Sequence, residues 1–138
     1  MKKMGLDVGE KTIGVSVSDA FGWTAQGITT VKWTEGEFES AFDQLAPIIS
    51  EHEITTIVVG LPKNMNGTIG ERGEASQVFA NRIQERFNIQ TDLWDERLTT
   101  MAAERVLLEA DMSRSKRKKV IDKMAAVMIL QSYLDAKV

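Results

Sequence analysis

The hydrophobic period of this chain changes near residue 37, and that change restricts the fold more than any other feature. Before it, apolar residues alternate with small or polar ones: Met4, Leu6 and Val8 against Gly5 and Asp7, then Ile13, Val15 and Val17 against Gly14, Ser16 and Ser18. A period of two belongs to strands half-buried on a sheet. Segments 3–8 and 12–18, separated by Gly9, Glu10 and Lys11, predict a hairpin, and the β-branched segment 26–33 predicts a third antiparallel strand. After Glu37, Phe38, Phe42, Leu45 and Ile49 recur at helical spacing. Residues 54–60 read as a buried strand, 74–87 as a helix with Val78, Phe79, Ile83 and Phe87 on its apolar side, and 88–96 as a strand ending in acid. Thr99 or Thr100 predicts the N-cap of a helix through Ala110, and Ser115 that of a last helix over about 116–136. The order βββαβαβαα predicts one α/β domain, residues 1–138, on a mixed five-stranded sheet with three antiparallel strands followed by parallel ones.

Composition removes several chemistries. The chain has no cysteine, which excludes disulfides, thiol catalysis and cysteine-ligated zinc. His52 is the only histidine, which argues against histidine metal sites and against a Ser-His-Asp hydrolase. It stands before a strand, reads as solvent-facing and receives no role. Apolar runs near the start are too short for a signal peptide or a membrane span, so a cytoplasmic protein is expected.

The net charge of −3 argues against a nucleic-acid partner, but its distribution does not. Residues 1–96 hold 8 basic and 15 acidic side chains, whereas residues 97–119 hold 7 basic and 3 acidic ones. A local phosphate-binding stripe on an acidic body fits this asymmetry, and so does an ordinary solvated face.

The placement of the acids is more pointed. Asp7 lies in the middle of the first strand, opposite its apolar residues, between Gly5 and Gly9. Strands disfavour Asp, and glycine in a strand marks the close approach of another group. A bare surface beside Asp7 would admit a phosphodiester backbone; the plainer reading is an edge residue facing water. Asp95 and Glu96 end a strand at the carboxyl edge where open α/β sheets place ligands. Adjacent strand residues point to opposite faces, so one of the two is spare. Asp122 follows the basic run 114–119 on the last helix, in a stripe with Ala126, Ile129 and Tyr133. It requires a cation there, either at an open site or as an i,i+4 pair with Lys118. Three acids with no histidine or cysteine suit a hard oxygen-preferring cation such as Mg²⁺, and two such ions activate water against a phosphodiester.

Four ordered blocks resemble the bacterial YqgF/RuvX family: "GLDVGEKTIGVSVSD", "VVGLPKNMNGTIGERG", "DERLTT" and "SRSKRKKVIDKMAAVMILQSYLD". Together they span almost the whole chain. The resemblance implies an RNase H-like fold in which acids on the first strand, after the fourth strand and on the last helix bind divalent metal. Those positions fall on Asp7, Glu96 and Asp122, and only the resemblance prefers Glu96 to Asp95. It further implies a metal-dependent nuclease using Mg²⁺ or Mn²⁺, acting on the 5′ end of pre-16S ribosomal RNA or, alternatively, on Holliday junctions. Thr12 stands where many relatives carry Arg, which removes one possible phosphate contact.

The other polar residues then acquire candidate roles. Arg114, Lys116, Arg117, Lys118 and Lys119 are candidate phosphate contacts that position a strand without reading its sequence. Lys63 and Arg72, in a Gly-rich segment expected to be mobile, are candidates for a clamp over the substrate. Lys11 and Arg97 adjoin the acids. Trp23, Trp33 and Trp94 fit packing better than base stacking. Rival classes are an actin-like ATPase, for which 138 residues leave no second lobe, and a non-catalytic RNA-binding assembly factor. No heptad or exposed apolar stripe distinguishes a monomer from a homodimer.

Overall fold

The computed structural model describes the backbone of residues 2–96 and 114–136, with the side chains of 2–96 and 123–136. The chain runs β1 (Lys2–Val8), β2 (Thr12–Ser18), β3 (Ala25–Lys32), α1 (Phe38–Glu51), β4 (Ile54–Leu61), α2 (Glu71–Phe87), β5 (Gln90–Asp95) and α3 (Arg114–Ala136). The helix expected from Thr99 or Thr100 to Ala110 lies outside the described residues. The five strands form one sheet in the order β3-β2-β1-β4-β5. β1 pairs antiparallel with β2 and parallel with β4, while β2–β3 is antiparallel and β4–β5 parallel. This is the expected mixed sheet.

The two faces of the sheet are covered differently. Met4, Leu6 and Val8 of β1, Ile13, Val15 and Val17 of β2, and Ile57 and Val59 of β4 pack with Ala41, Phe42, Leu45 and Ile49 of α1 and Phe79, Ala80 and Ile83 of α2. The predicted helical stripes supply these contacts with one exception: Val78 is 46% exposed. It precedes Phe79 and lies at the margin of the apolar stripe. On the opposite face Val58 packs with Ile129, Leu130, Tyr133 and Leu134 of α3.

Helix α2 begins three residues before the predicted start at 74. Gly70 is its N-cap in extended backbone, and its carbonyl accepts the Glu74 N–H at 2.9 Å. Gly73, read as part of a loop, is buried in the first turn, where a Cβ would stand 2.7 Å from the Pro62 carbonyl. Glu71 and Glu74 place negative charge at the positive end of the helix dipole.

Candidate metal centre and nucleic-acid interface

Alternation along β1 turns Asp7 away from α1 and α2, toward the face covered by α3. Its backbone pairs with Gly14 across the hairpin, and the residue is half-buried. The glycines beside it do not leave a bare surface, as the sequence had suggested. A Cβ on Gly5 would stand 2.7 Å from Leu130 Cβ and 3.0 Å from the Ala126 carbonyl oxygen, so Gly5 is the seat of α3. Gly9 serves the β1–β2 turn: its N–H donates to the Thr12 carbonyl at 2.8 Å, and its carbonyl accepts the Trp33 indole N–H at 2.9 Å.

Glu96 follows β5, the fifth strand in chain order and not the fourth. Its N–H donates to the Leu61 carbonyl at 3.3 Å, which continues the parallel pairing of β4 with β5 by one residue. The glycine that makes room for a carboxylate is Gly60. A Cβ there would collide with Glu96 Oε2 and would stand 2.5 Å from Ile129 Cδ1. Glu96 therefore lies over Gly60, on the α3 face that Asp7 also addresses. Asp95, one residue earlier, reaches Lys63 Nζ at 3.9 Å. Strand parity thus separates the two adjacent acids. Burial, then repulsion from Asp7 and from Asp95, pushes the Glu96 carboxyl up to about 8 against the pull of Arg72.

The helix that carries Asp122 is fixed by a row of small residues. Gly27, Ser16 and Gly5 are paired neighbours across β3, β2 and β1. Above that row, the Ser16 hydroxyl donates to the Ala126 carbonyl at 2.8 Å, and a Cβ on Gly27 would meet Lys123 Cγ at 2.7 Å. Farther along α3, the Tyr133 hydroxyl donates to Asp92 at 2.5 Å and the Trp94 indole N–H donates to Ser132 at 3.0 Å. Asp122 is one helical turn before Ala126 on the backbone; its side chain lies outside the described residues. Neither Ser16 nor Gly60 was singled out in the sequence. A hydroxyl in an alternating strand reads as solvent-facing, and a glycine at a strand end reads as a turn.

The candidate cations divide. Arg72 is not on the loop but in the first turn of α2. Its guanidinium donates to Glu35 at 2.6 Å and to the Val8 carbonyl at 3.2 Å, and Glu10 lies 3.9 Å away. The loop before α2, expected to be mobile, is tied internally: Asn64 N–H donates to the Thr68 carbonyl at 2.8 Å, and Gly67 N–H to the Asn64 carbonyl at 2.8 Å. Lys11 is exposed in the β1–β2 turn. Arg114, Lys116, Arg117, Lys118 and Lys119 lie on the first turns of α3, with side chains outside the described residues, and Arg97 lies outside them altogether. Trp33 is buried and Trp94 packs edge-on against Tyr133, so both are structural. Trp23 is 72% exposed.

Among the described residues no group of three or more His, Cys, Asp or Glu side chains could hold a metal ion. They contribute the pair Asp7 and Glu96. The donor set nevertheless fits a hard divalent cation: two carboxylates on one face, and a recess over Gly60 where burial, then repulsion from Asp7, favours a proton on Glu96 when no cation is bound.

The architecture matches solved Holliday junction resolvases. Thermus thermophilus RuvC in complex with a Holliday junction superposes with a TM-score of 0.57 at 12% identity, covering 99% of this chain and 96% of that one. Fowlpox virus resolvase with junction DNA superposes with a TM-score of 0.61 at 11% identity, covering 100% and 99%. These likenesses define the fold class, which is RNase H-like. The family model described as "RuvX: Holliday junction resolvase" matches residues 1–136. An Oceanobacillus iheyensis relative named "Putative pre-16S rRNA nuclease" is 74% identical over 137 residues, 99% of this chain and 100% of its own. A Bacillus subtilis relative of the same name is 60% identical over 136 residues, 99% of each chain. The chain belongs to the RuvX family.

Proposed function

We propose that this chain is a divalent-metal-dependent nuclease that trims the 5′ end of pre-16S ribosomal RNA, with Asp7, Glu96 and Asp122 holding Mg²⁺ or Mn²⁺. The observation that carries the reading is Glu96 lying in the recess over Gly60, on the face of Asp7, where burial and repulsion raise its carboxyl to about 8. Crowding acids in a recess costs the fold, and a divalent cation bound between them offsets that cost. When bound, the metal supplies an activated water and stabilises the leaving oxygen of the phosphodiester. The chain's own residues do the rest: Asp7 and Glu96 present two carboxyl groups on one face at the carboxyl end of the sheet, and the Ser16–Ala126 bond sets α3 against them. Lys11, Lys63, Arg72, Arg97 and the basic start of α3 offer phosphate contacts that position the strand. Residues 1–138 act as one domain in the cytoplasm, where pre-16S RNA is made; among the described residues no helix is long and apolar enough to cross a membrane.

The relatives' shared name favours RNA as substrate. The family model's description favours a second reading, junction resolution, which requires two sites and hence a homodimer, whereas RNA trimming is open to a monomer. Both are tested together by incubating the protein with a 5′-extended pre-16S fragment or a four-way DNA junction, in Mg²⁺, Mn²⁺ or EDTA. Metal-dependent loss of the RNA extension, abolished by Asp7→Asn in a protein that still folds and binds RNA, is the expected result. Cutting of the junction alone selects resolution. Tight RNA binding without cleavage in either metal selects a non-catalytic assembly factor.

A further inference from the structure

A cleft of about 340 Å³ opens on the α1 and α2 side of the sheet, across the end of β1 from Asp7, lined by Val8, Trp33, Glu35, Gly36, Phe38, Ala75 and Val78. It lies at the carboxyl end of β1, between the loop that follows β3 and the first turns of α2. Its walls are apolar and aromatic, apart from Glu35 at the rim. The volume falls in the range of small-ligand sites, and the exposed Val78 at its margin has no packing role in the core.

Arg72 connects this cleft to the acids. One of its nitrogens bonds Glu35, which lines the cleft, another bonds the carbonyl of Val8, the residue after Asp7, and its charge acts on Glu96. Asp7 and Val8 are adjacent on β1 and point to opposite faces of its carboxyl end, so a strand crossing that end past Arg72 can turn a phosphate toward the acids and the attached nucleoside toward the cleft. A nucleobase matches this lining: flat, with faces that pack against aromatic and aliphatic groups and an edge that meets a carboxylate.

We propose that the cleft formed by Val8, Trp33, Phe38, Ala75 and Val78 receives one unpaired nucleobase of the strand presented to the acids, with Arg72 gripping the adjoining phosphate. This rests on the nuclease reading for its substrate, but it concerns where a base sits and not the cutting of a bond. A strand bound in this way must be unstacked at one nucleotide, so the site selects single-stranded or frayed substrate over continuous duplex.

The test uses the full-length Asp7→Asn chain and pre-16S fragments in which 2-aminopurine, or an abasic residue, replaces each nucleotide around the cut in turn. Ala75→Leu narrows the cleft from a partly exposed helix position, and Val78→Phe blocks its mouth from an exposed one; thermal melts check that both fold. The expected result is one position whose 2-aminopurine fluorescence changes on binding and whose abasic replacement weakens affinity about tenfold, the scale of one base contact. Both cleft variants should lose the fluorescence change and bind intact and abasic RNA alike. Cleft variants that match the parent on both probes overturn the proposal, as does any parent that binds no fragment. Concentration-dependent self-association abolished by Ala75→Leu also overturns it and assigns the cleft to a second copy. A wild-type chain that cuts nothing, while its Asp7→Asn form keeps the position-specific signal, removes the nuclease reading and leaves the base site standing.

Discussion

The two faces of the sheet solve opposite problems. Toward α1 and α2 the sheet presents large side chains, and the helices answer with aromatics: Phe42 and Phe79 meet edge-on at 5.4 Å, and Trp33 and Phe79 at 5.5 Å. Toward α3 it presents Gly27, Ser16, Gly5 and Gly60, with Asp7 and Glu96 at the carboxyl edge. The first face removes apolar area from water, which is where folding free energy comes from. The second buries a smaller cluster around Val58 and gives up area at its glycines to bring a helix backbone within hydrogen-bond reach of a strand hydroxyl. Stability and position are thus held by different halves of one sheet, and mutations on the two faces should fail differently.

The largest effect is expected on the aromatic face. Phe79 is fully buried and touches Trp33, Phe38 and Phe42, so Phe79→Ala should cost about 3–5 kcal/mol in chemical denaturation. Metal affinity per folded molecule should change little, because Asp7 and Glu96 face the opposite side of the sheet. Gly60→Ala attacks the other face. The added methyl displaces Glu96 Oε2 and presses on Ile129 Cδ1. We expect about 1–3 kcal/mol of lost stability together with loss of metal-dependent activity to below about one hundredth, read in the RNA cleavage assay. If Gly60→Ala were destabilising but fully active, position would not be what the α3 face provides.

The aromatic face was legible in the sequence and the α3 face largely was not, for one physical reason. Periodicity reports where large apolar residues go, and it placed Phe42, Leu45, Phe79 and Ile83 correctly. Small residues carry no such signal. Gly5 was read as space for a ligand, but it is space for α3, and a missing side chain does not say which of the two fills it. Ser16 alternates as a solvent-facing residue does, yet it is buried because a helix comes close enough to offer the Ala126 carbonyl. The choice between Asp95 and Glu96 depended on strand parity, which needs one fixed point on β5. Tyr133 bonded to Asp92 supplies that point, and it is a contact between residues distant in sequence. The error at the start of α2 has a local cause: Gly70 and Gly73 look like loop punctuation, although one caps the helix and the other lets it approach Pro62.

A smaller effect than either core substitution comes from the burial of Glu96 and the acids beside it. Glu96 titrates at about 8 in the fold against an ordinary 4.5. Between those values the folded, metal-free chain keeps a proton that the unfolded chain has released, so stability falls as pH rises through that window. Glu96→Gln should flatten this decline and stabilise the metal-free protein at pH 8 by about 1–2 kcal/mol, measured by thermal melts across pH. Metal competes with the same proton. Apparent Mg²⁺ affinity of the wild type should therefore rise about tenfold from pH 6 to pH 7 and level off above pH 8. A flat affinity profile over that range would separate Glu96 from the metal.

The smallest expected effect is the most informative about α3. Ser16→Ala removes one donor from the Ala126 carbonyl, and no bulk is added beside Gly5. A buried neutral hydrogen bond is worth about 1 kcal/mol, and the helix's own ladder still offers that carbonyl a partner, so the loss of stability should not exceed that figure. Position is a different matter. The Ser16 hydroxyl is a direct bond between the sheet and the turn of α3 that follows Asp122, at 2.8 Å. Without it the turn nearest Asp122 rests on Gly5 and Gly27 through van der Waals contact, and directional ties such as Trp94 to Ser132 and Tyr133 to Asp92 lie farther along the helix. Metal affinity, measured by calorimetry at pH 8, should fall by about threefold or more while the melting temperature drops only a few degrees. Equal, proportionate losses in Ser16→Ala and Phe79→Ala would mean that the two faces are not divided between position and stability.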